Sequence, residues 1–158
     1  VGAPSLAGLE SWYLKEQLIK FRDSIRGVQK DYIPAHEMRA AVAELSEAEM
    51  DEVVAYIETW DVTPGATTVI GDTVRGAGLY ANCSACHGLS ATGNRALSAP
   101  ALVNRDDWYL RRQLKLFQSG YRGQHPEDIA GAQMRSAAQL LKSDEDINDV
   151  LAHIGTLN

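Results

Sequence analysis

Apolar residues recur at helical spacing along this chain, and no stretch shows the strict alternation of a half-buried strand. Leu110, Leu114 and Phe117 fall at i, i+4 and i+7, the spacing that gathers side chains on one face of a helix. Ile147, Val150, Leu151 and Ile154 form a second such stripe. Ser143 stands ahead of it as a cap, with Asp144, Glu145 and Asp146 in the first turn, where the helix dipole favours acid. Asp106 or Asp107 is placed to cap the earlier helix, which the pattern carries to about Ser119. Gly120 and Gly123 bracket a turn, and Pro126 with Glu127 and Asp128 opens a helix ending near Leu141. Upstream, residues 72–83 read as a short helix whose Gly76 and Gly78 cost propensity. Close approach of another helix is the expected use of both glycines. Residues 88–104 carry Gly, Ser, Asn and Pro and read as a loop. The predicted class is all-α.

The pattern occurs twice. At an offset of 96 residues, Trp12-Tyr13-Leu14 matches Trp108-Tyr109-Leu110, Gln17-Leu18 matches Gln113-Leu114, and Phe21 matches Phe117. Ala3-Pro4 matches Ala99-Pro100, Arg26-Gly27 matches Arg122-Gly123, and Met38-Arg39 matches Met134-Arg135. One extra residue then moves the offset to 97, pairing Ser46 with Ser143 and Ile57 with Ile154. The first copy therefore repeats three helices, expected over 9–24, 34–45 and 46–60. It has no counterpart of 72–96. The expected organisation is a partial repeat at 1–60, a linker at 61–71 with Pro64-Gly65, and a complete unit at 72–158. The apolar face that the first copy leaves uncovered is expected to pack on the second copy or on another chain, a homodimer included.

The segment present only in the second copy holds Cys83-Ser84-Ala85-Cys86-His87. C-x-x-C-H is the pattern of covalent c-type haem attachment. Two cysteines three apart on a helix point the same way, so their thiols can reach the two vinyl groups of one porphyrin. The adjacent His87 is then an axial ligand. Competing readings are weaker. With 2 Cys in the chain a four-cysteine zinc site is excluded, His36, His125 and His153 are not paired at metal spacing, and no βαβ setting supports a thioredoxin-like pair.

One haem c needs a sixth ligand or an open face. A methionine sulfur is the usual partner in electron-transfer cytochromes and raises the potential. Of the 3 Met, Met134 is in the same copy as His87 and is the expected ligand. Met50 sits in an acidic helix, Met38 in the incomplete copy, and His125 is the rival, in a polar turn. A bound histidine is held in one tautomer by a carbonyl. Pro100 offers one with no N–H of its own, in the loop after the motif. The anionic propionates want donors. Trp108, Tyr109, Arg111, Arg112 and Arg122 are the candidates.

Charge narrows the partners. The net charge is −6, carried entirely by residues 1–70, where 6 Lys and Arg face 12 Asp and Glu. Nucleic acid is excluded as a partner. Glu44, Glu47, Glu49, Asp51, Glu52 and Glu58 read as a solvated helix face, or else as a docking surface for a basic partner. No 18-residue apolar run marks a membrane span, and Val1 opens no basic-then-apolar leader. Haem attachment to C-x-x-C-H takes place outside the cytoplasm, so a periplasmic protein, or a periplasm-facing part of a membrane complex, is expected.

These residues together resemble the class I cytochromes c, and within them the bacterial two-domain, di-haem kind. The resemblance rests on CSACHG at 83–88, Gly78 and Tyr80 before it, Pro100-Ala101-Leu102, Trp108-Tyr109-Leu110, Gly120-Tyr121-Arg122-Gly123 and Gln133-Met134. It implies first and last helices that cross, His87/Met134 ligation, and one-electron transfer between partner proteins, without catalytic residues. It also implies a second C-x-x-C-H, ligated with Met38, that residues 1–158 lack. A piece of a longer di-haem protein or of a respiratory oxidase or dehydrogenase is favoured over loss of the first haem. His153 stands where the family often has an aromatic. The alternative function is a haem enzyme or gas sensor with a displaceable sixth ligand, and a further one makes 1–60 an interaction module.

Overall fold

The computed structural model describes residues 2–157. Seven α-helices are found among them: α1 Ser11–Arg22, α2 Ile33–Val42, α3 Glu47–Glu58, α4 Thr73–His87, α5 Asp107–Gln118, α6 Ile129–Ala138 and α7 Asp144–Gly155. The described residues form no strand, only one isolated bridge between Asn94 and Ala99. The repeat is exact at the level of elements: α1, α2 and α3 shifted by 96, 96 and 97 residues give the bounds of α5, α6 and α7. α1 packs on α2 and α3, and α5 on α6 and α7. Ser46 and Ser143 each close a capping box, with Glu49 and Asp146 respectively.

α4 is the added element, and it crosses α7. Gly76 makes the crossing. A Cβ there would stand 2.0 Å from the Asp149 carbonyl oxygen, so only glycine lets the backbones meet. Gly78 has nothing within 4 Å of such a Cβ, against the expectation that both glycines serve the approach. Arg75 pairs with Asp146 and Asp149 beside the crossing. The core of the second copy is Tyr80, Leu141, Ile147, Val150, Leu151 and Ile154. In the first copy Leu14, Val54 and Ile57 pack together, and Phe21, Ala35 and Val42 form a second cluster.

On α3 and just past its end, the positions matching the face of α7 that meets α4 are bare. Val53, Tyr56 and Trp60 are 38%, 67% and 42% exposed, whereas Val150, the counterpart of Val53, is 2% exposed. The face therefore does not pack on the second copy, because no helix in residues 2–157 crosses α3 as α4 crosses α7. The acidic residues of α3 are exposed, as a solvated face would be.

Several element ends differ from the expected ones. α4 runs through the motif to His87 and stops at Gly88, whose φ of 80° ends the helix. α6 starts at Ile129, capped by Asp128, with Pro126 outside it, and ends at Ala138. Neither Asp106 nor Asp107 caps α5. Both carboxylates turn to the linker instead: Asp106 accepts from Ala66 N–H at 2.9 Å, and Asp107 from Thr68 N–H at 2.6 Å and Val69 N–H at 2.7 Å. Burial alone would raise the Asp107 pKa. The Thr68 hydroxyl and these N–H groups outweigh it and hold the carboxyl below its ordinary range.

Candidate functional site

The last turns of α4 present the motif to a cleft between the two copies. Cys83 is half-buried, Cys86 exposed and His87 buried. Burial, with the neighbouring Cys86, pushes the Cys83 thiol up. The helix end is fixed from below: Tyr80 Oη donates to the Gly88 carbonyl at 2.8 Å, and burial lifts that phenol to about 12. The loop that follows folds back on the motif. Gly93 N–H donates to the His87 carbonyl at 2.9 Å, and Leu102 N–H to that of Ala91 at 2.8 Å. Gly93 has a positive φ, and a Cβ on it would lie 2.6 Å from Ala101 N.

This fold-back brings the Pro100 carbonyl oxygen to 2.8 Å from His87 Nδ1. A carbonyl can only accept, so Nδ1 carries the hydrogen and Nε2 keeps its lone pair. Burial pushes the imidazole pKa down against the Pro100 bond and the nearby Glu10, which favours the neutral, ligating form. Opposite, α6 brings Met134 to the same cleft, and α5 lines it with Leu110, Leu114 and Phe117.

The first copy supplies the rest of the wall with Tyr13, Gln17 and Lys20. Arg26 Nη1 donates to Gln17 Oε1 at 2.7 Å and its Nη2 to Gln113 Oε1 at 3.1 Å. Arg122 mirrors it, bonding Gln113 at 2.8 Å and Gln17 at 3.2 Å. Arg26 lies over Phe21 at 4.5 Å, Arg122 over Phe117 at 4.3 Å. Arg122 Nη2 donates to the Tyr13 hydroxyl at 3.4 Å, and Tyr109 stands near Arg26. The two copies thus meet about a local pseudo-two-fold, with two guanidiniums side by side. Burial and the Arg122 charge pull the Arg26 pKa down, while the tyrosines outweigh burial and raise Arg122.

Of the residues expected at the site, Cys83, Cys86, His87, Pro100, Tyr109, Arg122 and Met134 all line this one cleft. Trp108 is not among its lining residues; its indole packs under the Arg112 guanidinium at 4.7 Å. His125 also lies off the lining, its Nδ1 accepting from Glu127 N–H. Met50 is fully buried in the core and Met38 lies on α2, 38% exposed. Tyr13 and Gln17 were not expected there, nor was Arg26 behind them, off the lining but bonded to Gln17. The repeat was the signal for them, since each is the partner of a second-copy residue at the same offset.

The donor set suits a porphyrin better than a bare ion. No group of three or more His, Cys, Asp or Glu that could hold a metal occurs among the described residues. One imidazole and one thioether in an apolar cleft, with two thiols on one helix face, fit a metal that arrives with its own equatorial ligands.

The Cytochrome c family profile matches residues 73–158, more than half of the chain. The chain belongs to the cytochrome c family. Covalent haem c and electron transfer through it go with that membership, and Cys83 and Cys86 fit one attachment motif. This cytochrome is 31% identical over 141 residues to a thiosulfate dehydrogenase electron acceptor of Stutzerimonas stutzeri, a match covering 82% of the chain and 62% of that relative. It thus spans less than two thirds of the relative's length. In fold it resembles cytochrome c4 of Acidithiobacillus ferrooxidans, with a TM-score of 0.73 and 20% identity over 98% of this chain and 88% of that one. It also resembles the thiosulfate dehydrogenase of Marichromatium purpuratum, at a TM-score of 0.72 and 24% identity over 98% of this chain and 33% of the other. Cytochrome c4 of Pseudomonas stutzeri gives 0.70 and 23%, over 96% and 83%.

Proposed function

We propose that this cytochrome is a one-electron carrier between redox proteins, with a single haem c on Cys83 and Cys86 and His87 and Met134 as axial ligands. The observation that supports it is the convergence of one imidazole, one thioether and both thiols on one apolar cleft. When bound, the group supplies a reversible Fe(III)/Fe(II) couple. The chain's residues do the rest. The Pro100 carbonyl orients His87 and strengthens its donation, the Met134 sulfur favours the reduced state, and the apolar walls exclude water. Arg122 and Tyr109, joined by Tyr13, are the proposed donors to the propionates; Trp108 is left out because its indole faces Arg112.

By likeness to the Stutzerimonas relative, the proposed electron donor is an enzyme that oxidises a sulfur oxyanion such as thiosulfate. We place the protein in the periplasm, free or as part of a larger complex; no helix among the described residues is long and apolar enough to cross a membrane. The exposed Val53, Tyr56 and Trp60 face is the proposed surface for packing on another chain.

Intact mass with haem content should give one haem per chain. The ferric protein should show the weak band near the red end of the visible range that marks a methionine ligand, and carbon monoxide should change the reduced spectrum little. Rapid carbon monoxide binding, with a spectrum that Met134→Ala leaves unchanged, would instead support the enzyme or sensor reading.

A further inference from the structure

Glu10 stands at the N-cap of α1 and makes no capping bond to its own helix. Its Oε1 reaches across to the second copy and accepts the Ala101 N–H at 2.9 Å. Its Oε2 is buried with no partner among the described residues. Ala101 follows Pro100, whose carbonyl lies 2.8 Å from His87 Nδ1. The Pro100 carbonyl and the Ala101 N–H belong to one peptide plane. A bond at the nitrogen end therefore fixes the direction in which the oxygen points.

The repeat shows that this is a designed exchange rather than an accident of one side chain. Asp106, the counterpart of Glu10, also sits at an N-cap without capping its helix. It accepts from the N–H of Ser5, the counterpart of Ala101, at 3.4 Å. Each copy lends a carboxylate to the other copy's Pro-x peptide. Within residues 2–157 the histidine at such a peptide is His87, whose Nδ1 meets the Pro100 carbonyl. Arg105, buried between the copies with Nη1 on the Ala7 carbonyl at 2.8 Å, carries the charge opposite Glu10 and appears only in the second copy, where Leu9 is its counterpart in the first.

We propose that Glu10 is a positioning residue of the haem site, holding the Pro100–Ala101 peptide so that the Pro100 carbonyl keeps the His87 ring in its ligating orientation. The incomplete copy thereby sets the properties of the iron ligand in the complete one. The inference rests on the reading of His87 as an axial ligand.

The test uses the haem-loaded full chain. Amide hydrogen exchange on the unsubstituted protein should show the Ala101 N–H protected. In Glu10→Ala that protection is lost and the midpoint potential rises, because a loosened Nδ1–H bond leaves the imidazole a weaker donor to iron. Glu10→Gln keeps an acceptor oxygen and should retain both the Ala101 protection and most of the original potential. Asp106→Ala breaks the mirror bond and should leave the potential unchanged. An unprotected Ala101 in the unsubstituted protein overturns the proposal. So does a folded Glu10→Ala with an unmoved potential, a Glu10→Gln shifted as far as Glu10→Ala, or an equal shift in Asp106→Ala. Failure of the ligand reading is distinct, since it would appear as an absent low-spin spectrum in the unsubstituted protein while Ala101 stayed protected.

Discussion

Gln17 and Gln113, equivalent residues of the two copies, each accept from both Arg26 and Arg122. Both amides are buried, at 9% and 8% exposure. The guanidiniums repel each other, so the acceptors between them are what makes their proximity tolerable. Gln17→Leu should therefore strip an acceptor from both arginines and cost about 1.5–3 kcal/mol, the range for bonds to charged groups. Gln113→Leu should behave alike, and the double substitution should depart from additivity by about 0.5–3 kcal/mol. Urea denaturation of the four proteins measures this; strict additivity would show that the copies are not coupled through the network.

The two glycines of α4 should respond oppositely to alanine. Gly76→Ala drives a Cβ into the Asp149 carbonyl and forces the α4–α7 crossing apart. A loss of about 1–3 kcal/mol is expected, the cost of overpacking. Gly78→Ala meets open space and should stabilise by about 0.5–1 kcal/mol through helix propensity. Thermal unfolding of the two variants under one condition decides it.

The methionines should separate by what each substitution changes. Met50 is fully buried in the first copy, and Met50→Ala should cost about 2–5 kcal/mol with the visible spectrum unaltered. Met134→Ala should abolish the weak red band and admit carbon monoxide while costing less stability. Absorption spectra and denaturation curves of both variants provide the comparison.

Acid should loosen the linker. The Asp107 carboxyl titrates below its ordinary range in the folded protein because the hydrogen bonds from residues 68 and 69 overcome its burial. The folded state thus binds this proton less readily than the unfolded one. Its contribution is fully present above the unfolded value of about 3.9 and is lost as pH falls through the lower folded value. Urea midpoints taken from pH 7 downwards should hold until about pH 5 and then fall. Asp107→Asn should lower the midpoint at pH 7 and flatten part of the acid slope; an unchanged slope would remove Asp107 from the account.

The local pattern carried the helices well because helix formation and apolar periodicity are short-range. Leu110, Leu114 and Phe117 announce α5, and Ser143 with its acidic turn announces α7. The ends were less legible. Asp106 and Asp107 have the chemistry of caps, but the linker, distant in sequence, supplies better donors and takes them. Gly76 and Gly78 look alike in sequence; which one meets α7 depends on the rotation of α4, and that is a property of packing.

By itself, the sequence determined that the chain is helical, that it is repeated, and that one copy carries a C-x-x-C-H motif with a methionine downstream. These follow from periodicity, self-similarity and covalent chemistry, all legible in the order of residues along the chain. Tertiary structure alone decided that the copies face each other through Arg26 and Arg122, that Trp108 turns away from the cleft, and that Glu10 reaches the peptide above His87. The first and last of these join residues far apart in sequence, and no local preference encodes which surfaces meet.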